Sequence, residues 1–306
     1  MKTIYLVRHG EAKHNLVDKG PGSYERRRDK DLVDPPLTEA GIAQARAARE
    51  HLQAALCKNG DVAFDAVVSS TLQRALHTAE LGMVPLKKDF APLIALPKMA
   101  EIQCDDIWNE PRPREAVEES WPTWSLEGEP LHDFMCESSL DTCQSMIKRA
   151  EYVWRFLYNL PGSVIGVCGH GCFFYFLSRR IAAAESLRLP PFKEDIWQNG
   201  EVRRWILAAP EEQPMSWAEF GGLLHFSDFD FYNRYQRRVA VVNLARFSGA
   251  YYLPWLHKEW RWDRTDSDFD GELEELLNAG LKVRSNSLYD LLCSSRCCLT
   301  RSAGKF

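Results

Sequence analysis

Short apolar runs that end abruptly on polar residues set the frame of this chain. Residues 3–7 (Thr-Ile-Tyr-Leu-Val) are β-rich and stop at Arg8-His9-Gly10, as a buried parallel strand does when it delivers polar residues at its carboxyl end. Residues 64–69 and 163–168 read the same way, the latter ending at Gly169-His170-Gly171. Thr38 is an N-cap candidate for an Ala-rich helix running to about residue 56. Leu72, Ala75, Leu76 and Ala79 share one helical face and predict a helix over 72–81, started by Ser70 or Thr71 and ended by Gly82. Met146, Ala150, Val153, Trp154 and Leu157 predict another over 140–160, closed by Pro161-Gly162, and a further helix follows over 173–181. Strands alternating with helices predict an α/β chain, a three-layer α/β/α sandwich around a mostly parallel sheet.

Seven prolines between residues 85 and 130 argue against long regular elements there, so residues 84–138 are expected to form an inserted lid. Strands are expected over 201–207 and 239–247, and an acidic helix over 268–280. The Trp-rich stretch 255–262 is either a patch packed on the core or a separate surface. This divides the chain into a catalytic domain, residues 1–208, and a C-terminal extension, 209–306, packed on it. No internal repeat interrupts the pattern.

Composition changes this picture little. With 306 residues, 45% hydrophobic and 26% charged, the chain is of ordinary globular make-up. A net charge of -5 argues against holding nucleic acid or an anionic membrane by the overall field. Nine cysteines, an odd number without framework spacing, suit reduced thiols. The first residues lack the apolar region of a signal peptide, and no apolar run approaches the roughly 18 residues of a spanning helix. A soluble, cytoplasmic protein is expected. Its histidines and cysteines offer no paired ligand spacing, so neither a metal nor another cofactor is expected.

The candidate chemistry lies at the three strand ends. Arg8-His9-Gly10-Glu11 with Asn15 combines a nucleophilic imidazole with a guanidinium fork that matches two phosphate oxygens, and Gly10 would let the chain turn close to a ligand. Ser69-Ser70-Thr71-Leu72-Gln73-Arg74 puts a second arginine on a helix whose amino end would face the same anion. Val167-Cys168-Gly169-His170-Gly171 supplies a second histidine. His77, on the Arg74 helix, is read as structural.

Over residues 1–182 these three segments, in this order, resemble the histidine phosphatase superfamily, the phosphoglycerate mutase-like branch 1. The resemblance implies a metal-independent phosphomonoester hydrolase in which His9 is phosphorylated, while Arg8, Asn15, Arg74 and His170 hold the phosphoryl group. It also implies a carboxyl group that protonates the leaving oxygen and then activates water. Glu101 is the candidate, with Asp105, Asp106 and Glu110 as competitors. The family's other branch carries His-Asp where this chain has His170-Gly171, which disfavours it. Cofactor-dependent mutases carry Arg-His-Tyr-Gly just after the acid, where this chain has Cys104-Asp105-Asp106-Ile107. A mutase and a catalytically weak scaffold remain the alternatives. The implied partner is a small phosphorylated molecule or a phosphopeptide. Tyr24, Arg26 to Arg28, Trp108, Arg112, Arg114, Trp121 and Trp124 are the residues expected to select it.

Overall fold

A computed structural model describes residues 2–17, 30–103, 107–128, 143–184, 189 and 195–209. In chain order its strands are Lys2–Arg8 (β1), Ala66–Ser69 (β2), Leu93–Ala95 (β3), Ser125–Leu126 (β4), Val164–Gly169 (β5) and Val202–Leu207 (β6). They form one mixed sheet in the order β4-β3-β2-β5-β1-β6. All pairings are parallel except that of β6 with β1.

The apolar runs become strands because both sheet faces are covered. Ile4 to Val7, all of β2 and all of β5 are buried. The four principal helices pack in two pairs, Glu39–Asn59 with Gln73–Gly82 and Cys143–Asn159 with Gly171–Ala184. The result is the expected three-layer α/β/α arrangement. Because β1, β2 and β5 run parallel, their carboxyl ends share one edge of the sheet. Arg8 lies opposite Gly169, and Ser69 opposite Cys168. Open α/β sheets form their sites at that edge.

Local signals explain most boundaries. Thr38 caps Glu39–Asn59 by accepting from Gly41 N at 3.0 Å, and Gly60 closes it in the left-handed region at φ 76°. The arginine helix Gln73–Gly82 departs from expectation, because neither Ser70 nor Thr71 caps it. Its N-cap is Leu72, and Asp34 Oδ1 and Oδ2 accept from Gln73 N at 2.9 and 3.1 Å. A carboxylate brought from 39 residues upstream replaces a local hydroxyl. Gly82 is the last helical residue, and the cap itself is Met83.

The segment expected to be a lid is partly sheet. Within it, β3 pairs with β2 and β4 with β3, while Val117, Trp124 and Leu126 join the core around Phe64 and Val67. Its prolines shorten the elements without removing them from the sheet. No described helix is long and apolar enough to cross a membrane. Tyr24, Arg26 to Arg28, Asp105, Asp106, the strand expected at 239–247, the Trp-rich stretch 255–262, the helix expected at 268–280 and the extension beyond 209 lie outside the described residues.

Candidate active site

His9, His170 and Arg74 meet at the carboxyl edge of the sheet. His9 is 2% exposed, and its ring centroid lies 5.1 Å from that of His170. His9 Nδ1 is 2.7 Å from Gly10 O. A carbonyl oxygen can only accept, so Nδ1 carries the proton and Nε2 holds the lone pair. Burial, reinforced by Arg74 and Arg8, pushes the pKa of His9 well below the usual histidine value. The imidazole is therefore a neutral base near pH 7.

His170 Nε2 lies 2.8 Å from Ser70 Oγ, which also accepts from Leu72 N at 3.3 Å. Its pKa is lowered chiefly by burial, then by Arg74 and the neighbouring histidines. His170 Nδ1 is buried without a hydrogen-bond partner. Ser70, expected only as a helix start, thus sets the orientation of the second histidine.

Arg74 is fully buried and donates from Nη1 to Trp108 O at 2.8 Å and from Nη2 to Asn109 Oδ1 at 2.7 Å. Its Nε is buried and unpartnered. Burial lowers its pKa to about 10, Asp34 and Glu101 opposing the shift, so it remains cationic at neutral pH. Arg8 donates from Nη1 to Trp197 O, and its Nε is likewise buried and unpartnered. Burial lowers the Arg8 pKa as well, with Glu101 as the leading opposing charge. Two arginines and His170, each with a buried nitrogen left unpartnered, beside the Nε2 lone pair of His9, fit an anion of several oxygens, as a phosphate is.

The backbone around His9 is tied at several points. Gly10 N donates to Thr78 Oγ1 at 3.0 Å, and Thr78 Oγ1 donates to Arg74 O at 2.7 Å, which links the His9 loop to the arginine helix. Asn199 Nδ2 donates to His9 O at 3.0 Å, and Gly200 N to Arg8 O at 3.0 Å. Asn199 and Gly200 lie outside every motif segment of the sequence. Gly10 is also constrained from across the fold. A Cβ there would stand 2.3 Å from Gly41 O, so glycine is required by helix packing.

Glu101 reaches the same edge. Its Oε1 accepts from Phe173 N at 3.0 Å and from Ile102 N at 2.9 Å, and its Oε2 accepts from Cys172 N at 3.1 Å. The carboxylate thus caps the helix that begins just after His170. Asn15 Oδ1 accepts from Ala12 N at 3.0 Å, and Asn15 Nδ2 lies 3.0 Å from His14 Nε2. Glu110 is exposed. At the amino end of the arginine helix, expected to face the anion, Gln73 N donates to Asp34 Oδ1 at 2.9 Å.

Several residues expected to select substrate are committed elsewhere. Arg112 Nε pairs with Asp34 Oδ2 at 3.0 Å, and Arg114 binds Glu118 and Leu126 O. Trp124 Nε1 donates to Glu80 at 2.6 Å, and the Trp121 ring stands 6.1 Å from His77. Trp108 does border the site, its ring 5.6 Å from His14. Among the described residues, no group of three or more His, Cys, Asp or Glu is arranged to hold a metal ion, and Cys57, Cys168 and Cys172 form no disulfide.

Comparison with a family model identifies the family. The model of the histidine phosphatase superfamily (branch 1) matches residues 4–204. The chain is 23% identical over 195 residues to 2,3-bisphosphoglycerate-dependent phosphoglycerate mutase 1 of Arabidopsis thaliana, covering 61% of this chain and 53% of that protein. It is 34% identical over 106 residues to the 2,3-bisphosphoglycerate-dependent phosphoglycerate mutase of Methylobacterium, covering 35% and 44%. The chain thus spans about half the length of the curated relatives it matches. Among solved structures, the alpha-ribazole phosphatase of Shigella flexneri is similar at 22% identity and a TM-score of 0.43, over 66% of this chain and 89% of that one.

Proposed function

The chain belongs to the histidine phosphatase superfamily (branch 1), and from that membership we propose that it hydrolyses phosphomonoesters through a phosphohistidine on His9. One observation carries the reading: the Gly10 carbonyl holds the His9 proton on Nδ1, which leaves Nε2 basic in a basin containing Arg8, Arg74 and His170.

Nε2 of His9 attacks phosphorus while the bond to the ester oxygen breaks. The departing oxygen takes a proton from Glu101, whose carboxyl lies within the field of both arginines. Water, giving its proton back to Glu101, then attacks the phosphohistidine, the N–P bond breaks, and orthophosphate leaves. Arg8, Arg74, His170 and the remaining amide proton of Asn15 hold the phosphoryl oxygens. Positioning and charge neutralisation supply most of the acceleration. The substrate class is a small phosphorylated molecule or a phosphopeptide.

The named relatives support a second reading, phosphoryl transfer between positions of phosphoglycerate. The stretch Cys104-Asp105-Asp106-Ile107 favours hydrolysis, because it lacks the Arg-His-Tyr-Gly of the mutases. Phosphate release from a panel of phosphomonoesters, with chelator present and with His9→Ala beside wild type, tests the proposal. Chelator-resistant release that vanishes in His9→Ala is expected. Turnover of 3-phosphoglycerate only when primed with bisphosphoglycerate, and no release from any ester, would instead establish the transferase.

A further inference from the structure

The hydrogen-bond roles of His14 and Asn15 are fixed by elimination. Ala12 N donates to Asn15 Oδ1, which places Asn15 Nδ2 opposite His14 Nε2 at 3.0 Å. Asn199 Nδ2, 3.5 Å from Asn15 Oδ1, supports the same orientation. An amide nitrogen only donates, so His14 Nε2 accepts and the proton of the neutral ring sits on Nδ1. That Nδ1 is buried and has no hydrogen-bond partner, in a residue 8% exposed.

The surroundings identify what is missing. The His14 ring lies 5.7 Å from the His9 ring, on which the proposed chemistry occurs, and 5.6 Å from the Trp108 ring. Arg74, His9 and Arg8 are the groups that act on it electrostatically. A buried N–H donor without an acceptor, set among cations, lacks an anionic oxygen.

We propose that His14 is a further phosphate-binding residue of this site, its Nδ1–H donating to an oxygen of the phosphoryl group that His9 receives. The assignment rests on the phosphohistidine reading for the place of the anion. His14 contributes a directed, uncharged donor, which neither arginine supplies. Asn15 holds the tautomer by keeping Nε2 occupied, so part of its effect on phosphate passes through His14.

Orthophosphate titrated calorimetrically into the full chain tests this without requiring turnover. Asparagine offers an amide near the place of Nδ1, and glutamine near that of Nε2. His14→Asn is expected to stay within about threefold of the wild-type affinity and His14→Gln to weaken it roughly ten- to a hundredfold, the loss of one hydrogen bond to a charged acceptor. Wild-type affinity in His14→Gln overturns the assignment. Should the variants fail to fold, the wild-type chain labelled with ¹⁵N-histidine gives a direct reading. The His14 Nδ1–H resonance, identified by its proximity to the Trp108 ring, is expected to move downfield with phosphate, and a resonance that stays in place overturns the assignment. Phosphate binding by a wild-type chain that turns over no ester would sink the hydrolase reading while still testing His14. No phosphate binding at all would overturn both.

Discussion

Gly10 and Gly41 meet backbone to backbone, so that a Cβ on Gly41 would stand 2.0 Å from Glu11 O and one on Gly10 would stand 2.3 Å from Gly41 O. Both approaches are far inside contact distance and involve main-chain atoms that cannot rotate away. Gly41→Ala is therefore expected to cost about 2–4 kcal/mol, as overpacking of a close contact does, and to displace the loop that carries His9. Urea unfolding beside phosphate-release kinetics checks this. Unchanged stability would mean that the helix Glu39–Asn59 can move aside freely.

Asp34 supplies the second prediction. Its buried carboxylate accepts from Gln73 N and pairs with Arg112, at a backbone φ of 40° that asparagine tolerates better than alanine. Asp34→Ala is expected to destabilise the fold by about 1–3 kcal/mol, because it leaves buried donors unpaired. Asp34→Asn is expected to lose less. Thermal melting of both variants decides, and equal losses would show that only the charge matters.

Acid pH should loosen the fold through the histidine basin. His9, His14 and His170 all have folded pKa values well below 6.5, each chiefly through burial and then through neighbouring positive charge. Below about 6.5 the unfolded chain binds protons that the folded chain refuses, so stability is full above that value and falls as pH drops beneath it. The slope is at most about 1.4 kcal/mol per pH unit for each group. Melting temperature followed from pH 7.5 to 5 is expected to fall, and less steeply in His170→Asn. Phosphate should offset part of the loss by favouring the charged rings.

Glu101 can be tested by the leaving group. If it protonates the departing oxygen, Glu101→Gln should slow alkyl phosphates by roughly 10²- to 10⁴-fold, the usual worth of general acid catalysis. An aryl phosphate, whose oxygen leaves without help, should be slowed less. Equal slowing of both esters would reduce Glu101 to a cap for the helix after His170.

The sheet, its principal helices and the three strand-end segments were legible in the sequence because each is written locally. A β-rich run stops at His9, another at His170, and the Arg74 helix has its own 3.6-residue face. Asp34, Ser70, Trp108 and Asn199 were not legible in their roles, since each acts by a contact made across the fold. Asp34 sits 39 residues from the amide it caps, and Asn199 stands 190 residues from the carbonyl it holds. The packing constraint on Gly10 was illegible for the same reason, since it comes from Gly41. The prolines between 85 and 130 marked irregularity correctly but gave no sign that β3 and β4 would extend the sheet.

The contacts made by Trp197, Asn199 and Gly200 have a consequence for the order in which the protein is made. His9 leaves the ribosome well ahead of the partners that hold its main-chain carbonyl and that of Arg8, which lie nearly two hundred residues later. Until that segment emerges, the nascent chain carries His9 without these partners. Competence for the proposed chemistry thus waits until that segment has been translated, and a chain released before residue 195 would contain every motif residue and still lack the brace that holds the first of them.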